Sequence, residues 1–550
     1  MDKTLKMENI LFKEELKTPE YYDELYPKRN VKEGVKVTRL APSPTGYLHL
    51  GTLYMSLVDR VAAGREGIFY VRIEDTDKKR EIEGGVQNLL EGLKDFGIEI
   101  DEGYTIDGEK GDYGPYKQSM RGKIYRAFAK RLVEKGLAYP CFCTPEELEE
   151  IRAEQDRDKL RTGYYGKYAR HRDITPEQAK ALIDEERPFV VRFKSSGDAE
   201  RKIAVDDLIK GRMEIPENDE DFVILKSDGI PTYHFAHAVD DYLMRTTHVI
   251  RGDEWLSSLP KHIELFRALG VKPPKYAHIA PIMKLDGGNK RKISKRKDPE
   301  AAVFYFKEQG FPAESVIEYL MTIASSEFEA FRRGNPGADF MDFKFNLKKM
   351  SLSGALFDPD KLNDVSKNII SKMSADRVTD SVLAWAEQYD KDYYNRVSGN
   401  KEYLKAIFSI DRDVPKPRKD IAKWSDAPLF TEYFYDYTEN FFLPDGMCAS
   451  DAAGLLTDYI NIYKEDGSQS EWFQRVKSIC AGRGFCPDTR EYRKNPDGFK
   501  GSVGDVSTLI RIAITSRKNS PDLYSIMMLL GYDECIKRLK AAADYYKGQF

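Results

Sequence analysis

The stretch RLAPSPTGYLHLGT, residues 39–52, constrains this chain more than any other. It is badly made for a regular element, with two prolines and two glycines in fourteen residues. An alternating apolar run, VKVTRL, precedes it, and a helical pattern, TLYMSLVDRVAAGRE, follows. This order predicts a strand, a stiff tight turn and a helix. In α/β sheets such a turn is a usual seat for an anion, because unpaired amides at the helix start point outward and the dipole favours negative charge. Gly51 lets a ligand approach the backbone closely. His49 can donate a hydrogen bond to a phosphate oxygen, and Pro42 and Pro44 stiffen the loop, which reduces the entropy lost on binding. Read alone, the stretch fits an ordinary stiffened loop with a surface histidine equally well.

The surrounding pattern extends the strand–helix theme. IFYVRIED reads as a second strand and GGVQNLLEGLKDFGI as a helix ending at Gly97. This βαβ order implies a parallel sheet with right-handed crossovers. The expected fold class is α/β: a Rossmann-like parallel-sheet catalytic domain with an α+β insertion, followed by a mostly helical region. The expected boundaries are an N-terminal extension over 1–34, a first Rossmann half over 35–115, an insertion over 116–232, and a second half over 233–290. A loop and small domain follow over 291–370, then a helical region over 371–550. TPEELEEIRAEQ and TPEQAKALIDEE in the insertion each carry a capping box with proline at the first helical position. SPDLYSIMMLLGYDECIKRLKAAADYY near the end reads as a helix with a serine cap and proline next to it.

With 550 residues, 41% hydrophobic and 32% charged, the chain has ample material for several cores. No membrane span is expected, since no run of ~18 apolar residues occurs. The charged start MDKTLKMENILFKEELKTPE lacks the apolar run of a signal peptide, so the default expectation is the cytoplasm. Six cysteines fit a reducing compartment. A net charge of −4 gives no global pull toward nucleic acid, although NKRKISKRK, PKPRK and EYRKNPDGFK are locally basic.

A second stretch sharpens the reading. KISKR, residues 292–296, follows the glycine-rich LDGGN, and Lys292 and Lys295 can meet phosphate charge in a transition state. With HLGT (His49 to Thr52), this pair resembles the HIGH and KMSKS signatures of class I aminoacyl-tRNA synthetases. The longer stretches TRLAPSPTGYLHLGT, VRIEDTD, PTYHFAHAVDD, VIRGDEW and KISKRKD are similar to the glutamyl-tRNA synthetase family, in its order and at fitting separations. The similarity runs from about residue 36 to the end, more weakly beyond 370.

The resemblance implies ATP-dependent ligation of L-glutamate to tRNA(Glu) through a glutamyl-adenylate. Mg²⁺ arrives with ATP, and no protein nucleophile is needed, because the substrate carboxylate supplies one. It implies catalytic roles for His49, Lys292 and Lys295. It places ATP against His49, Gly51, Thr52, Glu254, Lys292, Ile293, Ser294, Lys295 and Arg296. Arg39 and Tyr233 would read the substrate side-chain carboxylate and Arg251 the α-carboxylate, with Ala41, Ser43 and Glu74 around the amino group. Physically, Arg39 and Arg251 are permanently charged forks suited to carboxylates. Glu74 fits a surface ion pair with Arg72 or Lys78 as an alternative.

Two departures stand out. The family commonly has asparagine at the position of His237, whose ring could contact glutamate or simply pack. Some members bind zinc through C-x-C and a later Cys/His pair. Here Cys141 and Cys143 face a region that offers Tyr168 and His171 but no cysteine, which falls short of a closed site. No bound metal is therefore expected, and the two cysteines read as inert reduced thiols. The insertion would grip the tRNA acceptor end and the helical region the anticodon. A monomer is expected, and charging of tRNA(Gln) stays open, either by a glutaminyl enzyme or by a non-discriminating glutamyl one. A non-catalytic tRNA-binding relative is the alternative of a different class.

Overall fold

A computed structural model describes residues 5–44, 46, 48–77, 82–294 and 296–549. The chain divides into two units: Met1–Tyr305 with Val316–Asp358, and Phe306–Ser315 with Pro359–Phe550. In the first, two short helices, α1 (Met7–Leu11) and α2 (Pro19–Leu25), lead to β1 (Val37–Leu40), all four residues of which are buried. The stiff turn then delivers α3 (Leu50–Ala63), closed at Gly64, whose φ of 75° suits glycine. Next come β2 (Ile68–Val71), α4 (Gly85–Asp95), β3 (Glu102–Thr105) and its hairpin partner β4 (Gly108–Lys110). β1, β2 and β3 pair in parallel, as the alternating strand and helix patterns predict.

The middle segment runs α5 (Gly122–Glu134), β5 (Ala138–Cys141), α6 (Pro145–Arg157), α7 (Pro176–Asp184), β6 (Val190–Phe193), β7 (Lys202–Asp207), β8 (Gly211–Pro216) and β9 (Val223–Leu225). Both expected capping boxes form, Thr144 with Glu147 and Thr175 with Gln178. β5, β6 and β9 make an antiparallel sheet. The β7–β8 hairpin lies elsewhere: β7 pairs with β11 of the parallel sheet.

α8 (Tyr233–Leu243), β10 (His248–Gly252), α9 (Leu259–Leu269) and β11 (Lys275–Ile279) rebuild the parallel theme, followed by the hairpin β12 (Met283–Asp286) and β13 (Asn289–Lys292). β1 meets β10 where the Val37 N–H donates to Thr247 Oγ1 (2.7 Å) and the Thr247 N–H donates to the Val37 carbonyl (3.0 Å). Strand order therefore reverses between β1 and β10, which is where open α/β sheets place their ligands.

Behind that switch point the core is ionic. Consecutive residues of α8, Asp240 and Asp241, are both buried, and the helical rotation turns them to different partners. Asp240 accepts from Arg121 Nε (2.7 Å), Gln118 Nε2 (2.9 Å) and the Tyr125 hydroxyl (2.7 Å). Asp241 accepts from Arg72 Nη1 (2.7 Å), Thr246 Oγ1 (3.1 Å) and Arg39 Nε (3.4 Å). Apolar packing surrounds this network, including the fully buried Phe69, Phe235 and Leu265.

The second unit is helical, with no strand among its described residues. Leu456, Tyr459, Leu509, Met527 and Leu539 share its main core. The single helix expected from SPDLYSIMMLL onward is two, 523–530 and 532–547, broken at Gly531 with φ 82°. Its cap is Asp522, which accepts from the Ser525 N–H (2.8 Å), whereas Ser520 pairs with Arg511. The carboxylate two positions on outcompetes the hydroxyl because it is the one in reach of the first-turn amides. Among the described residues, no helix is long and apolar enough to cross a membrane.

Removing one charge from the buried network leaves its partner uncompensated, which typically costs about 3–5 kcal/mol. Asp240→Asn, opposite the fully buried Arg121, should lower the urea midpoint of the first unit correspondingly. An unchanged midpoint would show that the pair adds nothing to folding.

Candidate active site

His49 is the N-cap of α3, and its Nδ1 accepts the Gly51 N–H (3.0 Å). An accepting Nδ1 leaves the proton of the neutral ring on Nε2, so this imidazole can donate from that edge. His49, Gly51 and Thr52 line a cavity of about 350 Å³ together with Gly252, Glu254, Lys292 and Ile293. Three segments far apart in sequence thus enclose one space beside a helix N-terminus. Of the residues expected around ATP, Ser294 and Arg296 belong to the turn beyond the cavity, and Lys295 lies outside the described residues.

The lysine-bearing turn is anchored by Asp298. This buried carboxylate accepts two hydrogen bonds from Arg291 (2.6 and 2.8 Å) and one from the Ser294 N–H (2.9 Å). Arg291 therefore holds its pKa far below the usual carboxylate range. Arg291 is spent on this anchor, while Lys292 is exposed at the cavity.

The second group of expected residues gathers one step along β10. Arg251 immediately precedes Gly252, and its Nη1 lies 3.4 Å from the Tyr233 hydroxyl. Arg39 reaches from β1 to the Ile250 carbonyl (3.2 Å) and to Asp241. The Tyr233 phenol is pushed up by burial and by the charge of Glu74, and pulled back by Arg251 and Arg39. Glu74, Arg39 and Arg251 thus act on one tyrosine. Burial raises the Glu74 pKa, with Arg72 opposing it. The pairing of Glu74 with Arg72 (3.0 Å) is real, but it is buried rather than on the surface. The Glu74 N–H donates to the Pro42 carbonyl (2.9 Å), which brings the Ala41–Ser43 loop alongside. Burial pushes the Asp241 carboxyl up, yet Arg72 and Arg39 hold it well below its ordinary range.

His237 is fully buried behind Tyr233, with Nε2 3.1 Å from the Tyr276 hydroxyl. Its Nδ1 is 2.9 Å from Asp241 Oδ2, although poorly aligned for a hydrogen bond. Sequence reasoning also missed Arg72 and Arg121, which look like surface cations until their partners on α8 are seen.

The ligand atoms of Cys141, Cys143 and His171 lie within 4.8 Å of one another. The hydroxyl beside both thiols is that of Tyr164 (3.3 and 3.4 Å), and not that of Tyr168, which the sequence suggested. A closed structural site needs four donors, and a phenol takes the remaining side here. Hydrogen bonding from Cys143 pulls the Cys141 thiol below its ordinary value against the effect of burial.

The family model "tRNA synthetases class I (E and Q), catalytic domain" matches residues 35–364, and an anticodon binding domain model matches residues 498–543. A glutamate–tRNA ligase of Clostridium perfringens is 50% identical over 540 residues, covering 97% of this chain and 98% of that protein. One from Acetivibrio thermocellus is 48% identical over 541 residues, covering 97% and 99%. A crystal structure of a glutamate tRNA ligase from Elizabethkingia meningosepticum, in complex with its amino acid, aligns with a TM-score of 0.75. That protein is 27% identical, and the alignment covers 93% of this chain and 99% of that one.

The histidines give the site an acid limit. Burial drives His237 down to about 3 and His234 and His248 to about 4, against an ordinary 6.5. The unfolded chain therefore binds more protons than the folded one below about pH 6.5, so stability is full above that pH and is lost toward pH 4. The thermal midpoint should be flat from about pH 7 to 8 and fall progressively between about pH 6.5 and 4. His234→Gln should shallow that slope. A midpoint unchanged down to about pH 4.5 would contradict the neutral-histidine assignment.

Proposed function

Because this chain belongs to the class I tRNA synthetase family for glutamate and glutamine, we propose that ATP occupies the His49–Lys292 cavity while glutamate is held beside it by Arg39, Arg251 and Glu74. The reaction is the ATP-dependent joining of glutamate to tRNA. The glutaminyl and non-catalytic alternatives are not favoured, since relatives about half identical over nearly the whole chain are glutamate–tRNA ligases. The observation that carries the reading is that His49, Gly51, Thr52, Gly252, Glu254, Lys292 and Ile293 line one cavity.

In this reading the glutamate α-carboxylate oxygen attacks the α-phosphorus of ATP. The bond to the bridging oxygen breaks, and pyrophosphate leaves with the electron pair, giving glutamyl-adenylate. His49 donates its Nε2–H to a phosphate oxygen, and α3 turns its positive end to the same charge. Lys292, with Lys295 from the same turn, neutralises charge on the departing pyrophosphate. Mg²⁺ enters with ATP, bound by the phosphates. In the second step a hydroxyl of the terminal adenosine of tRNA(Glu) attacks the mixed anhydride and AMP leaves. Arg39, with Tyr233 beside it, meets the side-chain carboxylate, where a neutral glutamine amide would lose the charged partner. Arg251 meets the α-carboxylate, and Glu74, with Ala41 and Ser43, the ammonium. His237 supports Tyr233 from behind. The reading assigns no role to a second copy of the chain and none to the Cys141, Cys143 and His171 cluster.

His49→Ala should slow glutamate-dependent ATP–pyrophosphate exchange, run with tRNA present, about a hundredfold, while tRNA affinity stays within about twofold. Equal losses in both would remove His49 from the chemistry. Charging purified tRNA(Glu) and tRNA(Gln) separately with labelled glutamate and glutamine should yield product with tRNA(Glu) and glutamate. Product only with glutamine would overturn the reading.

A further inference from the structure

Four of the chain's seven histidines surround Arg251, two touching its guanidinium and two bracing those. Arg251 Nε donates to His278 Nε2 (3.0 Å), Nη1 donates to His262 Nδ1 (3.1 Å), and Nη2 donates to the Trp255 carbonyl (3.2 Å). A guanidinium only donates, so each ring nitrogen that faces it carries a bare lone pair. The opposite edges fix where the protons sit. His278 Nδ1 is 2.7 Å from Asp207 Oδ2 and gives its proton to that carboxylate. His262 Nε2 is 3.0 Å from His234 Nδ1 and donates to it. The two rings are therefore neutral and in opposite tautomers, each locked by a neighbour on a different element.

We propose that His262 and His278 are positioning residues for the reaction: as neutral acceptors they clamp two edges of Arg251 and leave the second Nη2–H, with the Nη1–H that now faces Tyr233, to meet the glutamate carboxylate. The inference rests on the assignment of Arg251 to that carboxylate. A proton on either accepting nitrogen would set N–H against N–H and release the guanidinium.

The surroundings oppose that proton. Around His262 stand His237 and Asp241 from α8, His234 beside it, and Arg251. Burial and the three basic groups drive its pKa well below the ordinary value, against Asp241. Around His278 stand Asp207, Arg251 and Lys210, and burial again prevails over the carboxylate. Tyr276 stacks on His278, with its ring centre 5.0 Å from the Arg251 guanidinium carbon.

The test is tRNA-dependent ATP–pyrophosphate exchange with KM for glutamate and for ATP measured separately. His262→Leu removes the acceptor and should raise KM for glutamate about ten- to hundredfold, with KM for ATP within about twofold. His262→Gln restores an accepting oxygen and should return KM for glutamate to within about threefold of the parent. A leucine variant with unchanged KM for glutamate, or a glutamine variant as impaired as the leucine one, overturns the proposal. Arg251→Lys separates the two layers. If it raises KM for glutamate while His262→Leu does not, only the positioning role falls. If it leaves KM for glutamate unchanged, the assignment of Arg251 itself falls. Should His262→Leu fail to fold, His234→Ala, at a half-buried site, decides. Losing the acceptor for His262 Nε2–H and one basic neighbour should move the acid-side rise in KM for glutamate to higher pH, and an unmoved rise overturns the proposal.

Discussion

Two adjacent carboxylates on α8, buried and answered by arginines from three other elements, are the constraint on which the site depends. Asp241 ties Arg72 of the β2 end to Arg39 of β1, and Arg72 also holds Glu74. Asp240 ties the start of α5 to the same helix through Arg121. Buried ion pairs are weak contributors to net stability, but each becomes costly once one partner is lost. Their value here is geometric. In the proposed reading they hold Arg39, assigned to a substrate carboxylate, and Glu74, assigned to the ammonium, in one network, so little ordering remains to be done when the amino acid binds.

The nucleotide side is built differently. There Lys292 stands exposed at the cavity and Arg291 is held in an ion pair with the buried Asp298. His49 accepts the Gly51 amide at Nδ1, which sets the ring at the mouth of the cavity. Asp298 anchors the lysine turn through Arg291 while Lys292 remains exposed.

Local signals in the sequence carried much of this. The strand, stiff turn and helix around residues 37–63 followed from alternation, proline and glycine, and the two capping boxes from three-residue spacing. The cavity-lining residues His49, Gly51, Thr52, Lys292 and Ile293 were legible as a group because they sit in short contiguous motifs. The pocket's supports were not, since they are contacts across long sequence separations. Arg72 read only as a surface partner for Glu74 and Arg121 drew no reading, because their partners on α8 lie more than a hundred residues away. His237 read either as a substrate contact or as a packing residue, because spacing along α8 does not reveal its stacking on Tyr233 or its burial. The histidine clamp on Arg251 draws on α8, α9, β11 and β7 at once, and no one-dimensional pattern announces that. Gly531 was visible as a letter, but its left-handed φ, which breaks the last helix in two, is set by tertiary packing.

The most direct test of the central claim is a crystal structure of the chain with a non-hydrolysable sulfamoyl analogue of glutamyl-adenylate. The account predicts the side-chain carboxylate on Arg39, the ammonium on Glu74, and the adenosine portion in the cavity between His49 and Lys292. An analogue seated elsewhere, or one that fills the cavity while its glutamyl part contacts neither Arg39 nor Glu74, would contradict it.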